Sequence, residues 1–348
     1  MANRFLKNCW YVAAWSHELG DGAMLGRKII GEPVMLARRP DGSAFALADR
    51  CSHRRAPLSL GRIEEGCVIR CMYHGLRFDD SGKCLSVPGT DTLPPNTSVR
   101  SYPVIEQHSW LWVWMGDPQK ADPALVPEAF GLDDPQWTMR ADQLDYAAHY
   151  ELVNDNLCDL SHVDFVHETT LGHVTGGGWA EAMPTIKPHE RSVRFERWFV
   201  AKPASPTNPM LVDTWSAYTY HVPGIFVMEN RSYKHGEAEA CGFKEPTREP
   251  MTRRIEQQAV TPISESSTRY FYATGFDSRM PSKLLDPIFD VIMATFAEDK
   301  TIIEAQQRIW DATPPDMPMA FIPQDKAPAM MRQILKKLIA AENEPTSA

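Results

Sequence analysis

Cys51-Ser52-His53-Arg54-Arg55-Ala56-Pro57-Leu58-Ser59 and Cys71-Met72-Tyr73-His74-Gly75-Leu76 are the two stretches on which the reading of this chain turns. Each offers one thiolate and one imidazole, Cys51 with His53 and Cys71 with His74. The seventeen residues 54–70 lie between the two halves, enough for one strand to run out and another to return. Two such loops would clasp an object from both sides.

Thiolate and imidazole together suit zinc or an iron–sulfur cluster. A common zinc-finger order pairs two cysteines first and two histidines later. Here each loop brings one of each, so one iron can take both sulfurs and the other both imidazoles. That is the ligand set of a Rieske [2Fe–2S] centre. Gly75 after His74, and Gly82 in the next turn, let backbone pass close to such a group. Structural zinc and two unrelated Cys/His pairs are the bland alternatives; the double spacing restricts far more than a single short motif. Cys9, Cys67 and Cys84 have no partner spacing and read as buried thiols.

The neighbourhood of the loops is β-like. Lys28–Ile30, Pro33–Ala37, Ala44–Ala48, Val68–Arg70, Leu76–Phe78 and Cys84–Val87 are strand-length apolar runs. Arg39-Pro40-Asp41-Gly42 and Asp79-Asp80-Ser81-Gly82 supply the turns. Trp110–Trp114 reads as a buried closing strand, and Cys9–Trp15 as another. Residues 116–137 hold four prolines, poor material for a helix or sheet interior, and mark a domain crossing. Beyond it a helix is expected from about Tyr150 to about Phe165. Strands follow over Val193–Val200, Asp213–Tyr220, Gly224–Met228, Glu256–Val260 and Arg269–Thr274. A long helix then spans about Lys283–Trp310, and an amphipathic segment Ala327–Ala341 precedes a polar tail. The fold class is α+β: an all-β domain over residues 1–118, then a domain over 119–348 with an antiparallel sheet and helices against one face.

At 348 residues the length allows about two domains of roughly 150 residues. A net charge of -9 without a basic face argues against nucleic acid as a partner. No apolar run reaches the roughly 18 residues of a membrane span. The N-terminus, with Arg4 and Lys7 before its apolar stretch, mimics a signal peptide only weakly. Seven cysteines, an odd number without a framework, point to ligands and buried thiols and to the cytoplasm.

A second metal face is suggested further along. In Tyr150–Glu168, Tyr150, Val153, Leu157 and Leu160 form an apolar stripe, while Asn156, Asp159 and His162 share another side. His167 follows His162 by five residues, off one helical face, so the helix should end or loosen near Phe165. In the late helix, Leu285, Ile288, Ile292, Phe296, Asp299 and Ile303 step by 3, 4, 4, 3 and 4. Asp299 therefore sits on the apolar stripe, where a carboxylate is expensive to bury unpaired; Glu298 and Lys300 fall off it and read as solvated. An Arg or Lys from elsewhere would compensate Asp299, and so would a metal shared with His162 and His167. Two histidines and one carboxylate make the facial triad of non-haem Fe(II) oxygenases.

Taken together, CSHRRAPLS, CMYHGL, NLCDLSHVDFVH and FAEDK, with NCWYVAAW and WVWMGDP, resemble the α subunit of a Rieske non-haem iron oxygenase. The likeness is to the branch of vanillate O-demethylases and toluenesulfonate methyl-monooxygenases. It covers nearly the whole chain. Met72 and Leu76 depart from the family pattern, which often has Pro and Trp there. The resemblance implies a Rieske domain followed by a helix-grip catalytic domain. It implies that Cys51, His53, Cys71 and His74 hold the cluster and that His162, His167 and Asp299 hold a mononuclear iron. Asp159 would bridge His162 to a cluster histidine of the next subunit in a homotrimer, with Asn156 near the iron. It also implies O2-dependent hydroxylation or O-demethylation of a methoxy- or methyl-substituted aromatic acid, with electrons from a NADH-dependent flavin/ferredoxin reductase. Ring dihydroxylation, N-demethylation and a bare Rieske electron carrier are the competing expectations. Gln257, Gln258, Arg269 and Tyr272 lie on strands that could line the substrate pocket.

Overall fold

The structure, a computed structural model, describes residues 5–280, 283 and 285–343. Arg4 and the polar tail after Asn343 lie outside them. The chain divides into two compact units. One comprises the residues up to 131 with 261–265 and the chain from 339 onward; the other comprises 132–260 and 266–338.

The first unit is built of three small antiparallel sheets. Trp10–Trp15 lies beside Trp110–Trp114, which also pairs with Val104–Gln107. Tryptophans face each other across the first pairing, Trp10 opposite Trp114 and Trp15 opposite Trp110, with both pairs of ring centroids 5.3 Å apart. Such aromatic contacts add to what burying the rings already contributes. A second sheet orders Met24–Ile29, Glu32–Arg38, Ala44–Ala48 and Ser101–Tyr102. The third orders Arg62–Glu64, Val68–Arg70, Arg77–Phe78 and Cys84–Ser86. The Cys51 loop leads into the first strand of that third sheet, and the Cys71 loop joins its second and third. Every strand expected in this unit is present. Arg62–Glu64, Ser101–Tyr102 and Val104–Gln107 are strands the sequence reading does not include; they are short, and of their residues only Tyr102 is buried.

The second unit is one seven-stranded antiparallel sheet. Its order is Trp137–Tyr146, Ser267–Asp277, Thr252–Ser264, Ile225–Lys234, Asn208–His221, Ser192–Ser205 and Thr185–Pro188. The five central strands are those expected from the sequence. The two that were missed, Trp137–Tyr146 and Thr185–Pro188, are the two edges. An edge strand pairs on one side only and buries little, so it carries a weak apolar pattern and tolerates Pro188.

Among the described residues six α-helices belong to this unit or close the chain. They are α1 Tyr150–Cys158, α2 Val163–Val166, α3 Leu171–Thr175, α4 Glu237–Ala240, α5 Asp286–Ala312 and α6 Lys326–Asn343. The expected single helix over 150–165 is corrected: it breaks at Asp159, whose backbone is extended (φ -123°, ψ 99°). Asp159 closes α1, and its carboxylate accepts from the Ser161 backbone N–H at 2.9 Å to start a 3-10 turn over Leu160–His162. Aspartate competes well with the helix for local hydrogen bonds, which is why it caps and does not continue. Helix α5, 27 residues or about 40 Å long, lays its apolar stripe on the sheet. Phe296 packs on Tyr272 (ring centroids 4.2 Å) and Tyr270 (5.4 Å), and Phe289 meets Phe276. Asp299 is on that stripe, 4% exposed. Among the described residues no helix is long and apolar enough to cross a membrane.

Candidate iron centres

The two cysteine loops have the same backbone design. Cys51 N–H donates to Ala56 O (2.8 Å) and Arg55 N–H to Cys51 O (3.0 Å). In the second loop Cys71 N–H donates to Leu76 O (2.9 Å) and Gly75 N–H to Cys71 O (3.0 Å). The fifth residue of each loop takes a left-handed conformation, Gly75 at φ 74° and Arg55 at φ 58°. Glycine adopts it without strain; arginine does so at a cost that the loop's two bonds offset.

Cys51 and Cys71 are buried in the core of the first unit among Leu58, Ile69, Leu76 and Phe78. His53 and His74 are exposed, their ring centroids 4.6 Å apart at 70°. Two sulfurs therefore converge inside and two imidazoles outside. Burial first, then the neighbouring Cys71 thiol, pushes Cys51 up to about 11. A thiol so placed stays protonated at neutral pH unless a metal takes its proton's place. Of the two departures from the family pattern, Met72 is exposed on the loop and Leu76 is in the core. Cys9, Cys67 and Cys84 are buried, as expected.

In the second unit the break at Asp159 builds the other centre. Because the chain turns there, His162 folds back so that its Nδ1 meets the Asp159 backbone oxygen at 2.6 Å. His167, just past α2, places its Nδ1 2.8 Å from Glu298 Oε2. A carbonyl and a carboxylate can only accept, so each Nδ1 carries the proton and each Nε2 presents its lone pair. Both Nε2 atoms point toward Asp299, His162 at 3.5 Å and His167 at 3.1 Å from Oδ1. The ligand atoms of His162, His167 and Asp299 all lie within 4.8 Å of one another. His167 Nε2 is buried with no hydrogen-bond partner, despite its closeness to Asp299. The 3.1 Å approach is therefore not a hydrogen bond, and both atoms are close enough to share one cation. An orphaned imidazole nitrogen beside a buried carboxylate is the signature expected of a divalent-cation site, and the donor set suits iron. Asn156 Nδ2 donates to the same Asp299 Oδ1 at 3.0 Å and lies 3.4 Å from His162 Nε2.

Burial sets the electrostatics of both histidines. It lowers the pKa of His162, against the pull of Asp299. At His167 it works in the same direction, but Asp299 and Glu298 outweigh it and the pKa is raised. A cation shared by His167 and Asp299 would replace that proton.

Two residues differ from the sequence reading. Glu298, read as solvated, accepts from both His167 Nδ1 and Thr170 Oγ1 (2.7 Å). It sits one residue before Asp299, and the helix rotates it onto the loop carrying His167. Its link to histidine spans 131 residues, so no local pattern marks it. Asp159 meets His162 through its carbonyl, while its carboxylate caps the turn. Because Glu298 fixes the tautomer and the ring of His167, Glu298→Gln is expected to weaken iron binding by about tenfold to hundredfold. Iron titration of the metal-stripped variant against the parent checks this; equal affinity would show that Glu298 is a bystander.

The centre opens on a cavity of about 670 Å3, mouth included. Leu157, Leu160, Phe226, Met228 and Phe296 wall it with apolar surface, and Arg254, Glu256 and Gln258 line one side. Of the four strand residues expected there, Gln258 lines it. Gln257 is buried on the opposite face of its strand, Arg269 is engaged with Asp145, and Tyr272 packs on Phe296.

Two family models match the chain. The Rieske [2Fe-2S] domain covers residues 9–103, and the vanillate O-demethylase oxygenase C-terminal domain covers 146–341. The chain belongs to the Rieske non-haem iron oxygenases. Among relatives of this Rieske oxygenase is the toluene-4-sulfonate monooxygenase system iron-sulfur subunit TsaM1 of Comamonas testosteroni, 35% identical over 99% of both chains. The vanillate O-demethylase oxygenase subunit of Pseudomonas sp. strain HR199 is 31% identical over 99% of this chain and 98% of its own. The crystal structure of dicamba monooxygenase bound to 3,6-dichlorosalicylic acid superposes with a TM-score of 0.86, at 27% identity over 98% of this chain and 99% of that one. The α+β architecture, a Rieske domain followed by a catalytic domain with a large antiparallel sheet, is that of the family. The Rieske oxygenase is the oxygenase component of a multicomponent monooxygenase, and its cofactors are a [2Fe-2S] cluster and a mononuclear iron.

Proposed function

We propose that this oxygenase hydroxylates the methyl carbon of a methoxy- or methyl-substituted aromatic acid. The observation that carries the reading is the convergence of His162 Nε2, His167 Nε2 and Asp299 Oδ1 at the floor of an apolar cavity. The named activities of the relatives on toluene-4-sulfonate and vanillate support the substrate class.

In this reading His162, His167 and Asp299 hold the mononuclear iron, and Cys51, His53, Cys71 and His74 hold the cluster. When bound, the irons supply dioxygen activation at one centre and single-electron delivery from the other. The chain's own residues do the rest. Leu157, Leu160, Phe226 and Phe296 bury the ring and keep water from the reacting carbon. The Asn156 amide steadies the Asp299 carboxylate from the cavity side. The Asp159 carbonyl and the Glu298 carboxylate hold the two imidazoles in the ligating tautomer. Asp159, joined to His162 through its carbonyl, would link it by its carboxylate to a cluster histidine of a neighbouring subunit in a homotrimer. In this reading the Rieske domain proper ends near residue 118, ahead of the division between compact units after residue 131. A NADH-dependent flavin/ferredoxin reductase is the electron donor, and the cytoplasm is the compartment. Sedimentation at the mass of three chains checks the trimer.

The balance is one O2, two electrons and two protons per methyl group. One oxygen atom enters the C–H bond and the other leaves as water. A methoxy carbon so hydroxylated is a hemiacetal and collapses to a phenol and formaldehyde; a ring methyl stops at the alcohol. The test is a product screen with a surrogate reductase over methoxybenzoates, toluates and toluene-4-sulfonate. Formaldehyde or a benzylic alcohol is the expected product. A cis-diol from any of these acids would overturn the reading.

A further inference from the structure

Strand Ser192–Ser205 sends Val193, Phe195, Arg197 and Phe199 to its buried side. Three of the four are apolar and one is a guanidinium, 5% exposed. Among the described residues Arg197 has no carboxylate partner; its Nη1 donates to Trp179 O (3.3 Å) and its Nη2 to Tyr218 Oη (2.8 Å). Its Nε is buried without a partner. The charge lies over the rings of Trp179 (5.5 Å) and Tyr218 (5.7 Å), both of which line the cavity. Cation–π contact offsets part of the desolvation of a buried cation but leaves its charge in place. The cavity-lining arginine, Arg254, likewise has a buried Nε without a partner, but it faces a carboxylate. Arg254 pairs with Glu256 at 3.2 Å, and Gln258 Nε2 donates to the same carboxylate at 3.0 Å. Arg197 is therefore the cation behind the wall that has no carboxylate partner among the described residues.

Tyr218 transmits it. The strand pairing that sets Phe195 opposite Tyr218 stacks their rings, centroids 4.5 Å apart, and fixes the phenol. Its oxygen accepts from Arg197, and among the described residues its own proton has no acceptor. A hydroxyl that accepts from a cation is polarised to donate more strongly.

We infer that the Tyr218 hydroxyl, charged from behind by Arg197, is the point in the cavity that recognises the anionic group of the substrate, an aryl carboxylate or sulfonate. The assignment rests on the aromatic-acid reading and deepens it: Tyr218 selects the anion, and Arg197 is a positioning residue acting through it.

The test is binding to the oxidised holoenzyme without reductant, by calorimetry, so that no turnover is needed. The probes are two pairs: 4-methoxybenzoate with 4-methoxybenzamide, and toluene-4-sulfonate with toluene-4-sulfonamide. The unaltered protein is expected to prefer each anion over its neutral partner by about tenfold to hundredfold. Tyr218→Phe keeps the ring and its packing, and is expected to bring that ratio to about one while holding neutral-probe affinity within about threefold. Arg197→Lys keeps a cation beside the hydroxyl and is expected to retain most of the preference. A preference that survives Tyr218→Phe, or that is lost in Arg254→Gln while surviving Tyr218→Phe, overturns the assignment. Equal binding of anion and neutral probe by a parent protein that oxidises the acids overturns the assignment and leaves the proposed function standing. Binding of none of the four by the parent refutes both.

Discussion

Asp299→Ala is expected to abolish oxygen-dependent product formation, a loss of at least about a thousandfold, while the reduced cluster keeps its electron paramagnetic resonance spectrum. The size follows from what the residue does. A site of two imidazoles and one carboxylate loses its only anionic ligand, and a metal's contribution to a transition state is several kcal/mol, which is three orders of magnitude or more in rate. The selectivity follows from where it is. Asp299 lies on α5 in the second unit, 4% exposed, with no part in the fold of the cysteine loops. Metal analysis should show the mononuclear iron gone and the cluster irons retained. Turnover by the variant with iron still bound at the second centre would refute the triad. Alanine is the sharper choice over asparagine, which could still offer an oxygen.

Cys71→Ser is expected to have the converse signature: colour and cluster resonance lost, the mononuclear iron retained, product formation abolished. Cys71 is 1% exposed, beside Cys51 in the core of the first unit. Serine is smaller and its hydroxyl does not ionise at neutral pH, so the site loses one of the two thiolates that hold a cluster iron. With no cluster there is no electron inlet, whatever the state of the second centre. Because ligand binding is also folding free energy, the first unit should unfold at a lower temperature than in the parent, while the second unit's transition stays in place. Differential scanning calorimetry reads the two units separately. A variant that keeps its colour and spectrum would exclude Cys71 as a ligand.

Much of the candidate site was legible before any coordinates. The two loops are local objects: each closes its own turn through bonds between residues four and five apart, so spacing in the chain carries their geometry. Asp299 was legible for a different reason. A helix has a fixed period, and a carboxylate on the apolar stripe of a 27-residue helix stands out without knowing its partners. The five central strands of the large sheet were legible because both neighbours bury them, and the edges were not because only one does.

Arg197 obeys the same logic as Asp299, a charge on a buried row, yet the row is read only once the strand's inner face is known. In Arg194-Phe195-Glu196-Arg197-Trp198-Phe199 the apolar residues do not alternate cleanly, since Trp198 packs outward on Tyr233. The chain by itself pointed to the two candidate ligand sets, the order of the domains and the class of chemistry, because covalent spacing and helical period encode them. Only the tertiary structure decided that the first helix breaks at Asp159, that Glu298 meets His167, and that Arg197 donates to the Tyr218 hydroxyl. Those last two pairings join residues 131 and 21 positions apart through packing, and nothing in local sequence specifies which distant side chain will arrive.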